Sequence, residues 1–459
     1  MARRLIVVSN RVTVPDGKAS AGGLAVGIQN ALKEHDGIWF GWSGKVVARA
    51  SGRAKVVQEG NAMFATVDLT NEEYDHYYNG YANQTLWPLF HYRNDLAVYD
   101  RAFYPGYQRV NAKFARILAP MLKPSDLVWV HDYHLIPLGE ELRSAGCKMP
   151  LGFFLHIPFP AAQVYSTLYN HKRLARHLLN YDVLGFQTEA DVEAFYDVVE
   201  QVGGEVRDDG TVVAYGRTVY CDSFPIGIDA DEMVGLAESG LAKAQIRRQL
   251  NTIGTTKLAI GVDRLDYSKG LPNRMAAFEH LLANYPGMRG RVTLLQIAAP
   301  TRVDVPEYVA IRRELERAAG HINGRFAEFD WEPVRYINRS YSRSSLAGLY
   351  RASAVGLVTP LRDGMNLVAK EFVAAQDPED PGVLVLSRFA GAAEQMTEAI
   401  KVNPYDVVAM ADVLGKALTM PFAERRRRWT ALMEGVRREN ISWWKRRFLE
   451  ALESTASRK

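Results

Sequence analysis

The sequence predicts two α/β domains, each wound around a mostly parallel sheet. Three observations carry this. Short apolar runs alternate with longer helical patterns along nearly the whole chain, as they do when crossover helices cover both faces of a sheet. At 459 residues, 47% of them hydrophobic, the chain exceeds one ordinary core and can bury two. The alternation breaks at Pro225-Ile226-Gly227-Ile228-Asp229 and restarts afterwards, which places a hinge there.

In the first half, the runs Leu5–Ser9, Ile38–Trp42, Met63–Leu69, Leu127–His131, Leu151–His156 and Val183–Gln187 are too short for helices and read as strands. Gly23–Lys33, Val110–Leu122 and Glu189–Val202 carry apolar residues at three- and four-residue intervals and read as helices. Thr211–Phe224 is rich in β-branched and aromatic residues and reads as a hairpin or edge extension turning at Tyr215-Gly216. After the hinge, strands are expected at Leu258–Val262, Val292–Ile297, Val334–Ile337, Ala354–Thr359, Val383–Leu386 and Ile400–Val402. Helices are expected at Asn273–Asn284, Val309–Ala319, Ser344–Ala352, Met365–Ala375 and Val407–Leu418. The tail Ala423–Leu452 reads as a helix with Trp444, Phe448, Ala451 and Leu452 on one face, which predicts that it packs on a domain.

Charge excludes some classes of function. A net charge of +4 is the small difference of 56 basic and 52 acidic residues, so no general nucleic-acid or membrane-surface binder is indicated. The basic run Arg425–Arg428 reads as a solvated helix face in preference to a nucleic-acid patch. Cys147 and Cys221 offer neither metal spacing nor a disulfide framework. The N-terminal apolar run Leu5–Val8 is too short for a signal peptide, and no stretch is long and apolar enough to span a bilayer. A soluble, cytoplasmic protein is expected.

Candidate chemistry lies where strands end, because open parallel sheets bind ligands beyond their carboxyl ends. After Leu5–Ser9 come Asn10 and Arg11, then Gly22-Gly23 ahead of a helical pattern; paired glycines there let backbone approach a phosphate, or make a tight turn. The segment reads SAGGLAVG and not GxGxxG, so a nicotinamide cofactor is not indicated. His131-Asp132-Tyr133-His134 and His156 follow the next two strands. They lack a second carboxylate or thiolate at ligand spacing, so hydrogen bonding to polyol hydroxyls is expected and a metal is not; for His131 and His134 simple burial competes. In the second half Arg264 and Lys269 follow one strand and Arg302 another. Asp363 lies in the loop after Thr359, ahead of a helix start at Asn366, with Glu371 one turn further on. Arg264, Lys269 and that helix start suit a departing diphosphate, while Arg11 with Arg302 suit a second phosphate. Two anion sites imply a diphosphate donor and a phosphorylated acceptor.

The same residues carry a resemblance. VVSNR at Val7, SAGGLAVG at Ser20, WFGWSG at Trp39, YYN at Tyr77, LWPLFHYR at Leu86, WVHDYHL at Trp129, GFFLHIPFP at Gly152, LGFQT at Leu184, RLDYSKG at Arg264 and LVTPLRDGMNLVAKEFVAAQ at Leu357 stand in the order of the trehalose-6-phosphate synthases. The chain closely resembles this family of retaining glycosyltransferases over nearly all its length. The resemblance implies two facing Rossmann-like domains of the GT-B type with a cleft between them, over 1–228 and 229–440, and a C-terminal helix, 441–459, crossing back to the first. It implies transfer of glucose from a nucleotide-glucose, expected to be UDP-glucose although ADP and GDP sugars offer the same diphosphate, to glucose 6-phosphate.

By resemblance Arg11, Tyr78, Trp87, Asp132 and Arg302 hold the acceptor. Gly22, Gly23, Arg264, Lys269, Tyr341 and the segment Leu367, Val368, Ala369, Lys370 and Glu371 hold the nucleotide sugar, and His156, Asp363, Gly364, Met365 and Asn366 surround the transferred glucose. Asp132, His156, Arg264, Lys269 and Asp363 form the catalytic set. No metal or other cofactor is expected, nor any nucleic acid or membrane partner. Homo-oligomers are possible, and a separate phosphatase is expected to act on the product. Alternatives are a synthase using another phosphorylated acceptor, such as glycerol 3-phosphate, and a non-catalytic sugar-phosphate sensor.

Overall fold

The computed structural model describes residues 3–13, 37–254, 256–302 and 305–457. Residues up to Ile226 pack with those from Ser442 onward as one unit, and Gly227–Ile441 form another.

The first unit contains strands β1 (Leu5–Arg11), β2 (Ile38–Val47), β3 (Lys55–Glu59), β4 (Ala62–Thr70), β5 (Leu127–His131), β6 (Leu151–Phe154), β7 (Val183–Phe186), β8 (Glu205–Val206), β9 (Thr211–Ala214) and β10 (Arg217–Ser223). They form one sheet in the order β3-β4-β2-β1-β5-β6-β7-β10-β9-β8. From β4 to β10 every pairing is parallel, and β3, β9 and β8 extend the edges antiparallel. Each expected apolar run of this half lies on one of these strands. β3 has no buried face, since all five residues of KVVQE are exposed, and so gave no apolar signal. The β9–β10 hairpin turns at Tyr215 (φ 52°) and Gly216 (φ 73°), both left-handed as a two-residue type I′ turn requires.

From β1 the chain winds outward through β2 and β4, then returns to the other side of β1 at β5. The switch in winding direction therefore lies between the carboxyl ends of β1 and β5. The Ile441–Ser457 helix closes one face of this sheet. The ring of Phe448 stacks on Trp129 at 4.6 Å and Trp444 lies 4.8 Å from it. The helix fits because β6 and β7 carry glycine there: a Cβ on Gly152 would stand 2.7 Å from the Phe448 ring, and one on Gly185 2.8 Å. Phe448 and Leu452 are fully buried, each burial contributing roughly 1.5–3 kcal/mol.

The second unit contains β11 (Lys257–Arg264), β12 (Val292–Ala299), β13 (Val334–Ile337), β14 (Val355–Val358), β15 (Val383–Ser387) and β16 (Ile400–Val402), all parallel, in the order β13-β12-β11-β14-β15-β16. Counted along the unit this is the order 3-2-1-4-5-6 of a Rossmann sheet, with the switch between β11 and β14. Helices Leu271–Asn284, Pro306–Phe326, Arg343–Arg351 and Leu367–Ala375 connect the strands, and Val407–Leu418 follows the last of them. Pro306–Phe326 outruns the expected Val309–Ala319 at both ends and starts with proline in its first turn, where the missing N–H has no intrahelical role. Ala230–Glu238 and Gly240–Ile253 are helices that the sequence reading omitted; the first is capped by Asp229, whose carboxylate accepts the Glu232 N–H at 2.9 Å.

Two expectations need correction. The tail is two helices, Phe422–Arg438 and Ile441–Ser457, and not one. The break at Glu439-Asn440 is tertiary in origin: the backbone of Gly227 packs so closely there that a Cβ would lie 2.2 Å from the Glu439 carbonyl oxygen, and the Ile441 N–H donates to Ile228 O at 3.1 Å. The helix expected from Val110 begins at Phe103 and ends at Leu118. Within Arg425–Arg428, Arg425 pairs with Asp380, Arg427 with Glu398 and Arg428 with Glu424. The helix expected at Gly23–Lys33 lies outside the described residues. Among those residues no helix is long and apolar enough to cross a membrane.

Candidate active site

In the first unit the candidate residues gather beyond β1, β5 and β6. β1 ends on Arg11, which is exposed, its guanidinium lying against Gly44; that glycine has φ 83°, and a Cβ on it would meet Arg11 Nε at 2.7 Å. The preceding Asn10 accepts the Tyr77 hydroxyl at 2.9 Å. The next residue on that helical segment, Tyr78, stacks on His134 at 5.8 Å and 12°, and Trp87, 4% exposed, packs against Tyr133 at 5.7 Å.

Asp132 follows β5 with φ 78°, a conformation that a residue with a Cβ adopts only when its surroundings enforce it. They do: its N–H donates to Phe154 O at 2.8 Å, and its carboxylate accepts the His156 N–H at 3.2 Å, tying the β5 end to the β6 end. His131 Nδ1 lies 3.0 Å from His156 Nε2. Burial pushes His156 down to about 3, and burial followed by the neighbouring His156 holds His131 well below the usual imidazole range. Both rings are neutral at physiological pH, so His156 offers a hydrogen bond and no charge. Gly22 and Gly23 lie outside the described residues.

In the second unit the loops after β11 and β14 touch. Gly270 is left-handed (φ 64°), and a Cβ there would stand 2.4 Å from Thr359 O, so only glycine allows the approach. Leu361 N–H donates to Ser268 O at 2.7 Å. This contact brings Lys269 to Asp363: Nζ lies 2.5 Å from Oδ2, and the same oxygen accepts Asn366 Nδ2 at 3.0 Å. Asn366, itself left-handed at φ 77°, stands at the N-cap position of the Leu367–Ala375 helix without a side-chain cap hydrogen bond, and the leading N–H groups and dipole of that helix favour an anion. Gly364 and Met365 are buried between, and Met365 O accepts Ala392 N–H at 2.8 Å. Arg264 ends β11 exposed to solvent.

Glu371 is partly buried; desolvation pushes its carboxyl up to about 7, Arg343 opposing and Glu232 reinforcing the rise. Lys370 points the other way. It is 2% exposed with Nζ donating to Gln395 Oε1 at 2.7 Å, and burial brings it down to about 7. Of the segment Leu367 to Glu371, Lys370 thus has only its backbone to give a ligand. Ala369 is buried as well, whereas Leu367 and Val368 are half-buried at the helix start. The Tyr341 hydroxyl accepts from Arg339 at 2.6 Å.

Arg302 follows β12 left-handed (φ 46°). Its guanidinium pairs with Asp266 at 3.5 Å and donates to the Tyr308 hydroxyl. Arg11 belongs to the first unit and Arg302 to the second. Sequence reading did not single out Asp266, although it lies within the RLDYSKG motif, nor Tyr308, which carries no local signal. It also missed Arg274, 1% exposed, which ties β11, β12 and the residue after β14 together by donating to Asp263 at 2.6 Å, Gln296 at 2.8 Å and Thr359 at 3.0 Å. Each unit therefore presents candidate polar residues at or beside its own switch point, the second unit with a cation, a restrained carboxylate and a helix start in hydrogen-bonded sequence.

The family model for glycosyltransferase family 20 matches residues 4–454. A trehalose-6-phosphate synthase of Sinorhizobium fredii is 49% identical over 464 residues, covering 99% of each chain. Among solved structures, an alpha,alpha-trehalose-phosphate synthase (UDP-forming) from Burkholderia xenovorans in complex with glucose-6-phosphate is 51% identical with a TM-score of 0.94, covering 98% of this chain and 100% of that one. An E. coli trehalose-6-phosphate structure bound with UDP-2-fluoro glucose is 45% identical with a TM-score of 0.94, covering 98% of both.

Proposed function

We propose that this chain, which belongs to glycosyltransferase family 20, transfers glucose from UDP-glucose to glucose 6-phosphate with retention of configuration, giving α,α-trehalose 6-phosphate and UDP. The observation that carries the reading is the Lys269–Asp363–Asn366 constellation at the switch point of a Rossmann-ordered sheet, directly ahead of a helix start. It is supported by near-full-length relatives, one in complex with glucose-6-phosphate and one bound with UDP-2-fluoro glucose.

On this reading the donor diphosphate lies at the N–H groups of Leu367 and Val368, with Arg264 and Lys269 as counter-charges, and the family resemblance adds Gly22 and Gly23 to the residues that bind the nucleotide sugar. Glu371 accepts from the ribose hydroxyls, and Tyr341 lies beside the nucleotide. His156 and Asp363 to Asn366 hold the transferred glucose through its hydroxyls. Arg11 and Arg302 hold the acceptor phosphate, and Tyr78, Trp87 and Asp132 its sugar.

The bond from the glucose anomeric carbon to the diphosphate breaks as positive charge develops on the sugar. The acceptor hydroxyl attacks from the same face, and its proton passes to the β-phosphate oxygen that is leaving. Positioning and charge stabilisation supply the acceleration. Each well-aimed donor contributes roughly 3 kcal/mol, so two cations and a helix start reach the ~8 kcal/mol at the lower end of enzymatic rate enhancement. The reading gives no step to a metal or other cofactor. It implies a cytoplasmic enzyme whose product a separate phosphatase consumes.

The test is incubation with glucose 6-phosphate and UDP-, ADP- or GDP-glucose in turn, measuring the nucleotide released. UDP release that requires glucose 6-phosphate is expected. Release driven better by glycerol 3-phosphate favours the other acceptor, and no release with any pair favours a sensor.

A further inference from the structure

Arg302 stands in a backbone conformation that residues with a Cβ avoid, yet its side chain is only 7% exposed and is held on two partners. Tyr308 accepts from the guanidinium through its hydroxyl oxygen, and its own O–H donates to Asp266 Oδ2 at 2.9 Å. Asp266 is fully buried. Its carboxylate also accepts the Ser268 N–H at 3.0 Å, within the loop that carries Lys269. The tyrosine is itself fixed: it lies in the first turn of the Pro306–Phe326 helix, its N–H donates to Val305 O at 3.0 Å, and Val305 N–H donates to Arg302 O at 3.0 Å. Its ring packs 5.4 Å from Tyr267. Burial and the adjacent carboxylate hold the hydroxyl proton well above the usual tyrosine range, so it remains a donor at any working pH.

A long, rotamer-rich arginine at the end of a strand loses freedom when it grips a phosphate, and holding it beforehand removes that loss from the binding step. We propose that Tyr308 and Asp266 are positioning residues for acceptor binding, a buried hydroxyl–carboxylate pair that presets Arg302 for the phosphate of glucose 6-phosphate. The inference rests on the acceptor role of Arg302 proposed above. It adds two residues that do not themselves touch the acceptor. It also ties the acceptor's phosphate grip to the Lys269 loop through one carboxylate.

The test is steady-state kinetics on the full chain carrying Tyr308→Phe, Arg302→Ala or both, with each substrate varied at saturation of the other. Tyr308→Phe keeps the ring and its packing on Tyr267, and a thermal melt checks that it folds. The expected result is a KM for glucose 6-phosphate raised about tenfold, with the KM for UDP-glucose and kcat within about twofold. In the Arg302→Ala background the same change should add less than about twofold, because the arginine it acts through is gone. Asp266→Asn, which keeps an acceptor oxygen but not the charge, should raise the same KM. An equal multiplicative effect of Tyr308→Phe in both backgrounds, or an equal rise in the UDP-glucose KM, overturns the positioning role. If Arg302→Ala leaves the glucose 6-phosphate KM unchanged, the acceptor assignment itself falls and the inference with it.

Discussion

Replacing Lys269 by alanine removes two things that the structure allows to be separated. The first is a cation proposed to face the departing diphosphate. A single preorganised donor of this kind is worth about 10²–10³ in turnover, or roughly 3–4 kcal/mol. The second is the partner of Asp363, whose side chain is 15% exposed against 9% for Lys269, with Nζ and Oδ2 2.5 Å apart. A fully buried pair broken on one side costs about 3–5 kcal/mol, and the residual exposure reduces this to about 2 kcal/mol here. For a unit of this size that is a loss of ~4–8 °C in melting temperature. Lys269→Ala should therefore fold, melt several degrees lower and turn over about a hundredfold more slowly or worse when UDP release is followed at saturating substrates. Adding Asp363→Asn should recover much of the lost melting temperature, since no unpaired carboxylate remains, while turnover stays low. Turnover of folded Lys269→Ala within about threefold of the unchanged chain would refute the leaving-group role.

Two pH predictions follow from the same helix. Glu371 has its folded pKa raised to about 7 by burial, so the carboxylate proposed to accept from the ribose hydroxyls dominates only above that pH. The KM for UDP-glucose should fall as pH rises from 6 to 8 and stay flat in Glu371→Gln; parallel profiles in the two proteins would count against the ribose role. Lys370 has its folded pKa lowered to about 7 while the unfolded chain keeps the proton to near 10.5, so the unfolded state binds more protons between these values and stability rises with pH across them. Between pH 7 and 9.5 the rise is on the order of 3 kcal/mol and should vanish in Lys370→Met. Urea unfolding at pH 7 and 9.5 measures both, and an equal change in the two proteins would show that another group causes it.

Most strands were legible in the sequence because they are short apolar runs buried on both faces, as Leu5–Val8 and Val383–Leu386 are. Lys55–Glu59 was not, since an edge strand whose residues are all exposed leaves no apolar mark. The tail read as one helix because nothing local in Glu439-Asn440 stops one; the stop comes from Gly227, more than two hundred residues earlier in the chain. The same division holds in the candidate site. Arg264, Lys269, Asp363 and the helix start could be placed from strand ends and spacing alone. That Lys269 and Asp363, 94 residues apart, form one ion pair depends on two strand-end loops meeting at Gly270, which no spacing encodes. Asp266 and Tyr308 escaped because a buried carboxylate and a helical tyrosine look like ordinary core until their partner Arg302 is seen. Lys370 misled in the opposite sense: it shares a helix with Leu367 and Glu371, which are proposed to hold the donor, but helical phase turns its ammonium inward to Gln395.

Retaining glucosyl transfer to glucose 6-phosphate is decided by nuclear magnetic resonance of the product formed from UDP-glucose and glucose 6-phosphate. An α,α-1,1-linked disaccharide bearing a 6-phosphate, formed in equal amount with UDP, is expected. A β linkage at the transferred glucose, or UDP appearing without any disaccharide phosphate, would contradict it.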